Sequence, residues 1–332
     1  MMRVLVTGSA GFIGYHLCKL LLAEGAKVIG LDAHDAYYDP ALKEAREARL
    51  RPHPNFTPIR ARVEEPGVLA GIFEQHKPDI VVHLAAQAGV RYSIDNPRAY
   101  LESNLIGTFE LLEAARAHPP RHMLLASTSS AYGANTEMPY RETDKADAQM
   151  SFYAATKKST EAMAHSYAHL FGLPVTMFRF FTVYGPWGRP DMAPWLFTSA
   201  IMAGQPIKVF NHGDMRRDFT YVTDLVRAIR LLMDAVPGDA PVAAEDSLSP
   251  VAPFRVVNIG NGAPVELLDF IAAIETATGK PAIKQMLPMQ PGDVPATWAD
   301  TTLLRALTGY APQTRVPEGV AEYVDWFRSY YL

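Results

Sequence analysis

Arg3-Val4-Leu5-Val6-Thr7-Gly8-Ser9-Ala10-Gly11-Phe12-Ile13-Gly14 decides the fold of this 332-residue chain. The β-branched run up to Thr7, bounded by Gly8, predicts a buried parallel strand. Phe12, Ile13, Leu17, Leu20 and Leu21 then recur at helical spacing, and Gly25 closes the segment. Strand, glycine turn and helix in that order form a cradle for a dinucleotide. Gly8 permits the tight turn, Gly11 lets backbone approach a diphosphate, and Gly14 allows helix and strand to pack closely. The helix N-terminus adds N–H groups and a positive dipole end for the phosphates. The spacing is G-x-x-G-x-x-G rather than G-x-G-x-x-G, which still puts a small residue at each close approach.

A second strand, Lys27 to Leu31, ends at Asp32, about 20 residues past the glycines. A carboxylate there accepts hydrogen bonds from an adenosine ribose and repels a 2′-phosphate. Ala33 and His34 supply no arginine in compensation, so the expected cofactor is NAD rather than NADP. Further strand-like runs fall at Phe56–Ile59, Ile80–Leu84, Met123–Ala126 and Val175–Phe181, with helical stretches near 67–76, 98–117 and 151–171. This alternation predicts an α/β fold, a doubly wound parallel Rossmann-type sheet, whose ligands sit beyond the carboxyl ends of the strands. Past about residue 181 the alternation fails and prolines multiply, which predicts a smaller α/β C-terminal lobe for substrate. The expected division is 1–180 for the dinucleotide domain, rejoined by part of 219–260, and 181–332 mainly for the substrate lobe. Pro237 to Pro253 reads as a surface excursion.

Composition fits a soluble globular chain: 48% apolar, 20% charged, formal net charge −4. That balance, without a basic stripe, argues against a nucleic-acid partner. No apolar run reaches the length of a membrane span, and no leader-like segment opens the chain, so a cytoplasmic location is expected. The lone Cys18 excludes an intrachain disulfide and sits in the apolar first helix. His165 and His169 are one helical turn apart but lack a third ligand, so no metal is expected.

Tyr153 and Lys157 are i and i+4 within a helical stretch and share one face. An ammonium beside a phenol, with a nicotinamide cation near, favours the phenolate that a proton abstraction requires. Ser127-Thr128-Ser129-Ser130 follows a strand, where Thr128 can hold a substrate hydroxyl against the tyrosine oxygen.

With these motifs the chain resembles the extended short-chain dehydrogenase/reductases, specifically the nucleotide-sugar epimerases, over Gly8 to Asp300. The stretch Arg179-Phe180-Phe181-Thr182-Val183-Tyr184-Gly185-Pro186-Trp187-Gly188-Arg189-Pro190-Asp191-Met192-Ala193 most closely resembles the UDP-glucuronate 4-epimerases. The resemblance implies Tyr153, Lys157 and Thr128 as the catalytic residues. It implies cofactor contacts from Gly8, Gly11, Phe12, Ile13, Gly14, Asp32, Val63, Leu84, Ala85, Ala86, Gln87, Asn104, Tyr153, Lys157 and Phe180. Substrate contacts follow for Arg91, Ser129, Ser130, Thr182, Arg189, Lys208, Val209, Phe210, Arg217 and Asp293. The family's usual acid before the adenine-contacting hydrophobic residue is absent, because Arg62 precedes Val63. The resemblance also implies a homodimer through the helices near 98–117 and 151–171, with Leu111, Leu112, Met163, Tyr167 and Leu170 as either interface or core.

Relatives differ at single positions. Sugar 4,6-dehydratases carry Asp-Glu where this chain has Ser129-Ser130, and UDP-glucuronate decarboxylases carry glutamate at Ser130. UDP-galactose 4-epimerases usually show asparagine at Thr182 and an arginine near Gln290. The implied activity is therefore NAD-dependent 4-epimerisation of UDP-glucuronate to UDP-galacturonate, through a transient 4-keto sugar. A UDP-glucose/galactose 4-epimerase, a UDP-glucuronate decarboxylase, a net dehydrogenase and a non-catalytic NAD sensor are the alternatives.

Overall fold

The chain opens with β1 (Arg3–Thr7), α1 (Phe12–Ala23), β2 (Lys27–Asp32), α2 (Pro40–Leu50), β3 (Phe56–Arg60) and α3 (Val68–His76), in a computed structural model that describes residues 1–290 and 294–332. β4 (Ile80–His83), β5 (His122–Ala126) and β6 (Val175–Phe180) follow, with helices Gly107–Ala117 and Phe152–Phe171 between them. Later come β7 (Thr182–Tyr184), β8 (Pro206–Val209), β9 (Arg216–Tyr221), β10 (Phe254–Ile259), β11 (Pro264–Glu266), β12 (Ile283–Met286) and β13 (Ala296–Thr297). A parallel sheet runs β10-β6-β5-β4-β1-β2-β3. Its order reverses between β1 and β4, so the crevice at that switch point is where a ligand belongs. The inner strands carry apolar runs such as Val4-Leu5-Val6 and Ile80-Val81-Val82 because both faces are covered. Two separate apolar clusters, one on each face, fill the space under the helices.

α2 did not emerge from hydrophobic periodicity, although Asp39 caps it and Pro40 occupies its first turn. Its buried face is made of Lys43, Arg46 and Glu47 beside Leu42 and Leu50, so charge masks the apolar stripe. The helical stretch read over 98–117 begins with the short helix Pro97–Tyr100, passes through a π-helical section at Leu101–Ile106 and continues as an α-helix. Leu111 and Leu112 belong to the core, being fully buried. Leu170 stands exposed beside Phe171, with Phe109, Leu101 and Phe152 exposed on the same set of elements.

The seventh strand of the main sheet, β10, comes from beyond residue 250, and its Arg255 is buried in an ion pair with Asp246 (2.8 Å). The segment read as a surface excursion is thus anchored. His165 reaches Ser249 Oγ (2.8 Å) and His169 reaches the Val251 carbonyl (2.7 Å), which is how those two histidines are used.

A second, smaller sheet runs β11-β9-β13, with β7 also on β9. Asp218 at its centre is fully buried. Its carboxylate accepts from the N–H groups of Asn261 (2.6 Å), Gly262 (2.9 Å) and Ala299 (3.2 Å) and from the Thr220 hydroxyl (3.1 Å). Four donors on one buried carboxylate fix the turn after β10 and the segment around Ala299 against β9.

Candidate active site

A cavity of about 450 Å³ opens at the carboxyl ends of the sheet strands. Its floor is the glycine turn, where Gly8 has φ +72° and an added Cβ would stand 2.9 Å from the Ala85 nitrogen. A Cβ on Gly14 would overlap the Gly8 carbonyl oxygen. Gly11 caps α1 without a side chain, so the N–H groups of its first turn, at Phe12, Ile13 and Gly14, have no side-chain acceptor there. A backbone cradle of that shape suits a diphosphate.

Asp32 lines the same cavity. One carboxylate oxygen accepts from Ala10 N (3.0 Å) and the other from His34 N (2.8 Å), which fixes the group under the glycine turn. Each oxygen keeps a lone pair for a ribose hydroxyl. Val63 lines the wall, as do Leu84, Ala85, Ala86, Gln87 and Phe180. Asn104 stands behind that wall. Buried, it accepts from Gln87 N (2.8 Å) and donates to Gln87 O (3.1 Å) and Thr156 Oγ1 (3.0 Å), so it holds the strand-end loop in place.

Neighbouring positions in sequence gave no cation near Asp32, but the fold brings two. Lys43 reaches in from α2, with Nζ on the Asp35 carbonyl (2.8 Å), and burial lowers its pKa against the pull of Asp32 and Asp35. Arg62 also lines the cavity, with its charge committed to Glu64 (2.8 Å) and Asp35 (2.9 Å). A carboxylate thus follows Val63 instead of preceding it. Tyr37 and Tyr38 complete this end. Their one sequence signal was the Asp39-Pro40 helix start just after them.

At the other end of the cavity stand Thr128, Tyr153 and Lys157. Ser151 caps its helix by accepting from Ala154 N (3.1 Å), so Tyr153 falls in the first turn and Lys157 one turn on. The Thr128 side chain is close enough to Tyr153 to act on its phenol. Burial raises the Tyr153 pKa above the ordinary tyrosine value, with the Thr128 side chain and the Arg189 charge pulling it back. Burial pushes Lys157 down to about 8, while the Glu161 carboxylate one turn further holds it up. Burial works against ionised Glu161 too, but Arg179 grips it in a fork (2.9 and 2.8 Å) and brings it to about 2. Ser127 adds a hydrogen bond to it (2.6 Å), and the Tyr132 ring lies 4.5 Å over the Arg179 guanidinium. This buried ion pair sits under the strand end that presents Thr128 and keeps a negative charge close to Lys157.

Ser129, Ser130 and Thr182 line the cavity near these groups, as does Arg189, which pairs with Asp191 (3.0 and 2.5 Å). Tyr37 donates to the same carboxylate (3.0 Å).

The residues expected around the nucleotide lie outside this lining. Arg91 stacks over the Phe210 ring at 5.2 Å. Lys208 is exposed on β8, whereas Val209 is fully buried and offers only its backbone. Arg217 donates to the carbonyls of Val294 (2.7 Å), Pro295 (3.1 Å) and Arg216 (2.9 Å). Asp293 lies outside the described residues.

Residues 4–244 match the NAD dependent epimerase/dehydratase family. A curated relative named probable UDP-glucuronate 4-epimerase, from Rhizobium meliloti, is 53% identical over 99% of this chain and 98% of its own length. The solved structure of UDP-glucuronic acid 4-epimerase from Bacillus cereus, in complex with UDP-glucuronic acid and NAD, superposes with a TM-score of 0.89. It is 32% identical, over 99% of this chain and all of that one. UDP-glucose 4-epimerase from Thermotoga maritima, solved with UDP-glucose, gives a TM-score of 0.85 at 30% identity over 99% of both chains. A glycine cradle and a Thr-Tyr-Lys cluster share one crevice here, and the match spans most of the chain: it belongs to the NAD dependent epimerase/dehydratase family.

Proposed function

We propose that this chain is a UDP-glucuronate 4-epimerase that interconverts UDP-glucuronate and UDP-galacturonate with NAD retained in its cavity. The observation that carries the reading is the grouping of hydroxyls. Ser129, Ser130 and Thr182 line the same end of the cavity as Thr128 and Tyr153, and no carboxylate replaces them there. A dehydratase needs an acid/base pair to eliminate water, and those positions are serines. The 53% identity to a probable UDP-glucuronate 4-epimerase supports the same choice.

The glycine turn and first-turn amides of α1 hold the diphosphate of NAD, Asp32 the adenosine ribose, and Lys157 the nicotinamide ribose. Bound NAD supplies a hydride acceptor that takes the C4 hydrogen and later gives it back. Tyr153, paired with Thr128, takes the proton of the C4 hydroxyl as its phenolate, which the Lys157 ammonium favours. The 4-keto sugar turns over in the pocket, and Tyr153 returns the proton once the other face is presented. No electrons are gained or lost overall.

The intermediate from a uronate is a β-keto acid, which loses CO₂ when the carboxylate bond aligns with the carbonyl π system. Ser129, Ser130 and Thr182 hold the carboxylate out of that alignment. Arg189 serves the diphosphate or the sugar. Arg91 does the same; Lys208, Phe210, Arg217 and Asp293 serve the nucleotide, and Val209 serves it through its backbone.

Residues 1–180 form the cofactor domain with part of 219–260, and 181–332 mainly the substrate lobe. The exposed Leu101, Phe109, Phe152, Leu170 and Phe171 support a homodimer through these helices. A cytoplasmic location accords with the single buried Cys18. Product identification by NMR, with UDP-glucuronate and UDP-glucose tested in parallel, checks the reading. Turnover of UDP-glucose alone would move it to the galactose epimerases, and a pentose product to the decarboxylases.

A further inference from the structure

Arg46 is fully buried on α2 and has no part in the reaction above. One of its terminal nitrogens donates to the Ala10 carbonyl (3.0 Å) and the Tyr38 hydroxyl (2.8 Å). The other donates to the carbonyls of Trp187 (2.7 Å) and Gly188 (3.4 Å). Its Nε has no partner, and among the described residues no carboxylate stands within ion-pair distance of it. A full positive charge is therefore buried on neutral dipoles alone, which is costly unless another charge arrives. The acceptor Ala10 belongs to the glycine turn that faces the cavity.

The same guanidinium reaches the other lobe. Trp187 has φ +62°, a conformation that strains any residue but glycine. Its ring is locked against Tyr15 (5.7 Å), Trp326 (5.5 Å) and Tyr330 (4.9 Å). His16 on α1 contacts the preceding Pro186 carbonyl through Nε2 (2.8 Å). Burial, with the charges of Lys19 and Arg46, brings His16 down to about 4, so it is neutral near pH 7 and donates from that nitrogen. Three successive carbonyls, of Pro186, Trp187 and Gly188, are thus held from the two helices that flank the glycine turn. The next residue is Arg189, which lines the cavity.

We propose that Arg46 is a positioning residue that couples the two halves of the site. Its buried charge is the counter-charge for the dinucleotide diphosphate above the glycine turn, and its fork sets the Trp187–Arg189 loop that closes the sugar end. This inference rests on the epimerase reading. In a low-dielectric interior the guanidinium acts on the diphosphate through the intervening turn. Because one group makes both sets of bonds, cofactor occupancy and loop geometry become linked.

The test compares wild type with Arg46→Met and Arg46→Lys. Folding is checked by near-UV circular dichroism, bound NAD is measured after washing in NAD-free buffer, and KM and kcat are then taken at saturating NAD. Arg46→Met should release NAD about tenfold faster and raise KM for UDP-glucuronate about tenfold, with little change in kcat. Arg46→Lys keeps the charge but cannot span both sets of carbonyls. It should retain NAD nearly as wild type does and still show the raised KM. If Arg46→Met does not fold, Arg46→Lys decides alone through its KM. An unchanged KM in the lysine variant overturns the coupling, and unchanged NAD release in a folded methionine variant overturns the counter-charge. A wild-type protein that holds NAD but turns over no UDP-glucuronate would instead fail the functional reading, and NAD release would still test the counter-charge.

Discussion

Thr128 and Tyr153 line the same cavity, one from the loop after β5 and the other from the first turn of a helix, and the Thr128 side chain pulls the Tyr153 pKa down against burial. A substrate hydroxyl that joins this pair finds a proton acceptor already aimed. Tyr153→Phe should lower kcat roughly 10³-fold, since a positioned acid/base contributes about 10²–10⁴. Retained NAD should be unchanged, measured by extraction after gel filtration. A variant with kcat within tenfold of wild type would remove Tyr153 from the proton transfer.

Thr182 is the position that separates the uronate reading from its neighbours. Thr182→Ala should raise the share of pentose product relative to UDP-galacturonate, read by NMR of the quenched reaction. If product partition does not move, the hydroxyl does not restrain the carboxylate.

Asp218 gathers three backbone N–H groups and one hydroxyl in a fully buried place. Asp218→Ala leaves buried donors unmatched, at about 1–3 kcal/mol each, so a loss of about 3 kcal/mol or more in unfolding free energy is expected. KM should rise as well, because neighbouring Arg217 rides on the same strand. Urea denaturation with bound NAD held constant measures the first quantity.

Acid should destabilise the fold through three histidines. Burial lowers His16 and His122 to about 4 and, with the Lys157 charge, His83 to about 3, so each is neutral in the fold and charged below about 6.5 when unfolded. Between about pH 4 and 6.5 the unfolded chain binds more protons, so stability rises with pH through that window and is lost as pH falls. Glu142, lifted by burial to about 7, works the other way and flattens the slope. Chemical denaturation at pH 7 and pH 5 should give a lower midpoint at pH 5. Equal midpoints would refute the dominance of the histidines.

The parallel sheet was readable because strands covered on both faces leave unbroken apolar runs, as in Val4-Leu5-Val6. Tyr153, Lys157 and Thr128 were readable because helical spacing and a strand end place them without reference to distant residues. α2 was not, since Lys43, Arg46 and Glu47 occupy its buried face. Their partners are the Ala10, Asp35 and Trp187 carbonyls and His34, which only the fold brings near. The anchoring of residues 246–251 was hidden for the same reason, being made by His165, His169 and Arg255. Which atoms of Val209 could reach a ligand was not legible either, because strand alternation on β8 turns its side chain inward and Lys208 outward.

The most direct test is to incubate the purified protein with UDP-glucuronate, without added NAD, and follow products by NMR and absorbance at 340 nm. The account predicts UDP-galacturonate with no net rise in absorbance, because the hydride returns to the sugar it left. Stoichiometric NADH, or UDP-xylose as the main product, would contradict it.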